Sequence, residues 1–145
     1  MVRINIQFPH RVLRAYTACC KPLCRQLGLP QTALDILLFF ANNPGYHTAR
    51  DVVEVRGIKA NLVSVNVDRL VREGLLERQP VPGDRRKTRL VCTAAAQPAI
   101  RRGQQLQADF FAALLDGISP EALDTFRDTL SAMDQNLDKM MKGAE

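Results

Sequence analysis

The chain has 145 residues, 46% apolar and 24% charged, which suits one domain with a packed core, with or without helical extensions, and excludes bulk disorder. Its net charge is +5, with five basic and one acidic side chain in residues 1–49, twelve and six in 50–102, and three and eight in 103–145; the basic first two thirds fit a polyanionic partner or a solvated basic surface. Trp is absent and no 18-residue apolar run exists, which argues against a base-stacking platform, a carbohydrate cleft and a membrane span.

Met1-Val2-Arg3-Ile4-Asn5-Ile6-Gln7-Phe8-Pro9 has no signal-peptide pattern, so a cytoplasmic location with mostly reduced cysteines is expected. Residues 10–27 carry Val12, Leu13, Tyr16, Cys20, Leu23 and Leu27 at helical spacing, and Pro22 is expected to kink or divide this helix before Gly28 ends it. Leu29-Pro30-Gln31-Thr32 opens a second helix that is apolar nearly all round, hence buried, and Asn42-Asn43-Pro44-Gly45 stops it. Thr48 suits the N-cap of a short third helix, Ala49–Val55, followed by the turn Arg56-Gly57-Ile58-Lys59. The fourth helix runs from Ala60 to about Glu73, with Val63, Val67, Leu70 and Val71 on one stripe. Gly74 fits the left-handed position after it, and Leu75 can pack back on Leu70.

Leu75–Gln79 and Thr88–Cys92 are expected as two strands, joined by a loop that starts at Pro80-Val81-Pro82-Gly83-Asp84 and ends in a basic tip. A lone hairpin is marginal in water and must lean on the helices. Thr93 caps a long helix to about Leu115 with Pro98 in its second turn; Ser119-Pro120-Glu121 starts a last helix to about Met141. The fold class is therefore mainly α (α+β), a winged helix-turn-helix with flanking N- and C-terminal dimerisation helices. Residues 1–145 form one domain in this reading, with 30–93 as the winged part and 1–28 and 94–145 as the helical dimerisation part.

Two helices joined by a short glycine-containing turn normally place the second helix in the DNA major groove. Its apolar stripe leaves Asn61, Ser64, Val65, Asp68 and Arg72 on the outer side. Asn61 and Ser64 can hydrogen-bond bases or phosphates, and Val65 can touch a thymine methyl. Arg69, on the flank, suits a phosphate, and Lys59 and Asn66 complete the expected contact set on this helix. Arg85, Arg86, Lys87 and Arg89 lie within five positions and suit a narrow minor groove. Asp84 is expected to hold a neighbouring guanidinium in a bidentate pair. Structural helix packing and a merely solvated hairpin tip are the alternatives.

Leu27-Gly28-Leu29, Asp35-Ile36-Leu37, Val67-Asp68-Arg69-Leu70-Val71-Arg72-Glu73-Gly74-Leu75-Leu76-Glu77-Arg78, Asp84-Arg85-Arg86-Lys87 and Leu90-Val91-Cys92-Thr93 together resemble the MarR family of bacterial transcription regulators over residues 27–93. The resemblance implies a homodimeric winged-helix repressor or activator whose first and last helices interlock about a two-fold axis. It implies that the fourth helix reads the major groove of a palindromic double-stranded DNA operator, with Ser64 and Val65 at contact positions and Arg85 and Arg86 as wing arginines. Family members often carry a polar or basic residue where this chain has Val65. The resemblance also implies a small-molecule effector between the dimer helices and the winged part, where Arg14, Tyr16, His47 and the cysteines can line a cleft.

The apolar residues Phe110, Phe111, Leu114, Leu115, Leu123, Phe126, Leu130, Met133, Leu137, Met140 and Met141 exceed what one small wing covers, so a helical dimer interface with the 10–27 helix is expected. Cys19, Cys20 and Cys24 can sense an oxidant or serve as inert, buried thiols. Their spacing is not that of a structural zinc site, so no metal and no cofactor is expected. No nucleophile–base pair, paired carboxylates or phosphate loop suggests an enzyme. The rival to DNA binding is a winged-helix protein-interaction module with its basic face on an acidic partner.

Overall fold

The computed structural model describes residues 5–144. Among them the order is α1 (Phe8–Leu27), α2 (Gln31–Asn42), α3 (Ala49–Arg56), α4 (Ala60–Arg72), β1 (Leu76–Val81), β2 (Asp84–Cys92), a 3₁₀ turn (Ala94–Ala96), α5 (Gln97–Leu114) and α6 (Pro120–Lys142). The expected fold class is the one observed: mainly α, with one antiparallel hairpin as the wing.

Pro22 does not divide α1. An interior proline removes one helical hydrogen bond and costs about 3 kcal/mol. Here Pro22 and Ala18, whose carbonyl loses its partner, are both exposed, so water can satisfy the freed group. On the opposite face Cys20 and Leu23 are buried with Leu34 and Leu38 of α2, which holds the helix in register.

The middle of α2 is apolar all round because it serves two packing surfaces. Leu34 and Leu38 meet α1, while Ala33, Ile36, Leu37, Phe39 and Phe40 enter the main core with Val52, Val63, Val67, Leu70, Leu76, Leu90 and Ile100. Each such fully buried aliphatic side chain contributes about 1.5–3 kcal/mol. A Cβ at Gly103 would lie 2.7 Å from Leu38 Cδ2, so α5 crosses α2 where any larger residue must push the Leu38 side chain aside.

The second helix pair is fixed at its ends. Thr48 and Asp51 form a capping box, with the Asp51 amide 3.1 Å from Thr48 Oγ1 and the Thr48 amide 2.9 Å from Asp51 Oδ2. Behind α4, Gly74 takes φ +74°, and the Leu75 and Gly74 amides bond the Leu70 and Val71 carbonyls at 2.8 and 3.0 Å. That is the Schellman arrangement expected from the sequence. Thr93 then donates its hydroxyl to the Gly74 carbonyl at 2.6 Å, tying the end of the wing to the end of α4.

The wing is longer than expected, because its strands continue through Val81 and restart at Asp84. Only Pro82 and Gly83 turn the chain, and Gly83 has φ +81°, the value a Pro-Gly type II turn requires. The Leu90 amide also donates to the His47 carbonyl at 2.7 Å, so the segment before α3 supports the hairpin edge. The long helix expected from Thr93 is split: Thr93 caps the 3₁₀ turn, and α5 starts at Gln97. Pro98 thus falls in the first turn, where no N–H is needed.

Residues up to Phe110 form one compact unit and Phe111–Glu145 a second. In the second, Ser119 caps α6 through the Ala122 amide at 3.2 Å, with Pro120 in the first helical position. Leu123, Phe126, Leu130, Met133, Leu137 and Met140 recur along α6 at alternating steps of three and four. This is the spacing of a coiled-coil seam. No α6 residue is buried.

Candidate nucleic-acid interface

Helix α4 starts without a side-chain cap at Lys59, so its first-turn N–H groups remain available to an acceptor. Lys59, Asn61, Ser64 and Arg72 are all exposed, and Val65 is 66% exposed. Leu62, 45% exposed, joins Val65 on the same surface. Leu62 was not singled out from the sequence, although its position beside Val63 and one turn before Val65 and Asn66 turns it toward the rim of the stripe.

Two expected contacts are engaged elsewhere. Asn66 is 7% exposed and donates Nδ2 to the Leu62 carbonyl at 2.8 Å, so it belongs to the buried side of α4. Arg69 donates Nη2 to the Gly28 carbonyl at 2.7 Å and pairs through Nε with Glu73 at 3.0 Å. It fastens α4 to the junction of α1 and α2, and its donors face protein acceptors.

The wing tip has a feature that strand alternation does not announce. Pro80 pairs with Thr88, but the next residue, Val81, pairs with Asp84. The jump leaves Arg85, Arg86 and Lys87 opposite no β1 residue, as a bulge thrown out of the ladder. All three are exposed. Asp84 does not clasp a guanidinium as expected: its Oδ1 accepts the Arg86 backbone N–H at 2.9 Å, an Asx turn that shapes the bulge.

Between α3, the start of α4 and the wing lies an open groove of about 360 Å³. Its lining includes Arg50, Ser64, Arg78 and Thr88 above a floor with Val63 and Val67. Arg50 pairs with Glu54 at 2.7 Å, and Arg78 pairs with Asp68. Arg50, Arg78 and Thr88 were missed in the sequence because each lies on a different element, and only the fold assembles them. Inside the capping box, burial opposes ionisation of Asp51, but hydrogen bonds from the His47 and Thr48 amides and the Thr48 hydroxyl hold its carboxyl below the ordinary value.

Of the residues assigned to an effector cleft, Tyr16 and Cys24 pack against the cluster of Cys20, Leu34 and Leu38. Tyr16 lies against α5, with its ring 5.4 Å from that of Phe110 and its hydroxyl accepting from Gln107 Nε2 at 3.1 Å. Burial pushes the Tyr16 hydroxyl up to about 12. Arg14 is exposed on α1, and His47 contacts β2 and α3 through its backbone. Of the three neighbouring thiols, Cys20 is fully buried and Cys24 is raised by burial, with Sγ 3.7 Å from Gln31 Oε1. The nucleophilic species is the thiolate, so burial works against reactivity at Cys24. Cys19 is exposed.

No helix among the described residues is long and apolar enough to cross a membrane. The MarR family model matches residues 27–87, from the end of α1 through the wing bulge. Among solved structures, the transcriptional regulator PA3341 is 25% identical with a TM-score of 0.74, over 91% of this chain and 98% of its own. A MarR-family regulator from Silicibacter pomeroyi is 21% identical with a TM-score of 0.75, over 89% and 86%. A putative MarR-family regulator from Listeria monocytogenes, solved in complex with a 26mer DNA, is 18% identical with a TM-score of 0.82, over 94% and 90%. The family model matches the winged core, and the fold shared with these solved regulators extends over most of the rest of the chain.

Proposed function

We propose that this protein is a cytoplasmic transcription regulator that binds a palindromic double-stranded DNA operator as a homodimer. The observation that carries the reading is the joint display, on one compact unit, of the exposed face of α4 and the ladder-free Arg85-Arg86-Lys87 bulge. A helix of this size fits the major groove, and guanidiniums beside it suit the adjacent, narrower minor groove. The Listeria relative crystallised with DNA supports the same use of the fold. In this reading Asn61, Ser64 and Val65 carry base preference, while Lys59, Arg72 and the bulge neutralise phosphate or enter the minor groove. Asn66 and Arg69 have structural roles, and Asp84 shapes the tip.

The seam of α6 supports the dimer, since Leu130 and Leu137 are 47% and 51% exposed at core-type positions. Replacing both with Asp is expected to convert a dimer to a monomer in sedimentation and to weaken operator binding more than binding to unrelated DNA. An unchanged mass would remove α6 from the interface. Action as a repressor released by a small ligand belongs to the same proposal. Release by an oxidant would fall to the exposed Cys19.

The test is duplex binding across ionic strength, using the DNA upstream of the protein's own reading frame. Binding that weakens steeply with salt is expected, because each neutralised phosphate releases counterions. A Val65→Arg exchange should change which bases are preferred. The exposed apolar pair Leu62 and Val65 favours the rival use, docking on an acidic protein. Absence of salt-dependent duplex binding would select that rival.

A further inference from the structure

A groove separates α4 from the wing, and duplex geometry dictates what must fill it. The wall between a major groove and the adjacent minor groove is one sugar-phosphate strand. If α4 enters the first and the bulge the second, that strand lies in the groove lined by Arg50, Ser64, Arg78 and Thr88 over Val63 and Val67. The lining matches it chemically: hydroxyls and guanidiniums for phosphate, an apolar floor for deoxyribose. Yet both arginines are already occupied. Arg50 Nε lies 2.7 Å from Glu54 Oε1, one turn along α3, and Arg78 on β1 is paired with Asp68 on α4.

We propose that Glu54 and Asp68 are internal competitors for the DNA strand, holding Arg50 and Arg78 until phosphate displaces them and so attenuating affinity for every sequence alike. The proposal rests on the DNA-binding reading above and deepens it. A carboxylate beside a phosphate track repels it directly, and each pair must open before its guanidinium can turn to the strand. Both pairs are solvent-exposed, with side chains 85% and 58% exposed for Arg50 and Glu54, and 44% and 59% for Arg78 and Asp68. Exposed pairs of this kind open at small cost, which suits an attenuator rather than a lock.

The experiment measures affinity across ionic strength for the upstream duplex and for a scrambled duplex of equal composition. Asp68→Asn and Glu54→Gln should each tighten binding about threefold or more, equally on both duplexes. Arg78→Gln and Arg50→Gln should weaken it and each flatten the salt dependence by about 0.9 in log–log slope. In the Arg78→Gln background the Asp68→Asn gain should shrink to the part direct repulsion supplies, since the competitor then has nothing to hold. Tighter binding cannot arise from misfolding, so the acid variants keep the test valid even if an arginine variant unfolds. Unchanged or weaker binding in Asp68→Asn and Glu54→Gln overturns the proposal, as does a gain that persists undiminished without Arg78. If those results appear while the wild-type protein still binds duplex in a salt-dependent way, the DNA-binding reading stands and only the competitor role falls. If the wild type binds neither duplex, both fall together.

Discussion

Val65 and Asn66 are neighbours on α4, yet Val65 is 66% exposed and Asn66 only 7%. A helical wheel places Val65 on the outer face and Asn66 at the rim of the apolar stripe, where a polar residue is naturally assigned outward. What moves Asn66 inward is its own hydrogen bond: Nδ2 satisfies the Leu62 carbonyl, which lets the side chain enter the core without an orphan polar group. Arg69 is a similar case, because its partner, the Gly28 carbonyl, comes from a distant turn that the wheel cannot show. Ser64, with no such partner nearby in sequence, reads the same way at both levels. The prediction at this scale concerns Asn66. Asn66→Ala should destabilise the fold by about 1 kcal/mol through the lost buried bond and contact, seen as a lower denaturation midpoint. The salt slope of duplex binding should stay as in the wild type, and a flattened slope would return Asn66 to the DNA-facing set.

Among the elements, the helix order, the Thr48 cap, the Gly74 termination and the Ser119-Pro120 start were legible because each depends on residues within one or two turns. The wing was legible only in outline. Alternation marked Thr88–Cys92 as a strand, but a run of Arg, Arg and Lys carries no pattern that distinguishes a loop from a bulge. The register jump shows only in the folded hairpin, where a two-residue Pro82-Gly83 turn is followed by the Arg86 amide donating to Asp84 Oδ1. The α2–α5 crossing was equally invisible, since Gly103 inside a helical run reads simply as a weak helix former. Its role predicts a measurable cost. Gly103→Ala should lose about 1–3 kcal/mol by overpacking, despite Ala's better helix propensity. The double variant Gly103→Ala/Leu38→Ala should be more stable than the sum of the single effects predicts. Strict additivity in chemical denaturation would mean that the two side chains do not compete for the same space.

For the molecule as a whole, charge and apolar surface divide along the chain. The basic surplus of residues 50–102 spans α3, α4 and the wing, while α6 combines an exposed apolar seam with a net acidic remainder. The segregation suits a protein that meets DNA with one part and its own copy with another. The sequence already carried this division in its segment charges. It could not carry the groove, whose two arginines, serine and threonine come from α3, α4, β1 and β2. The central claim is that the bulge and α4 together hold a duplex, and it is tested most directly by one comparison: binding of the upstream duplex, followed by fluorescence anisotropy from low to physiological salt, for the wild type and for Arg85→Ala/Arg86→Ala. The double variant should bind at least about tenfold more weakly at low salt, with a log–log salt slope shallower by about 1.8, the share of two lost phosphate contacts. Wild-type affinity and slope in that variant would contradict the claim.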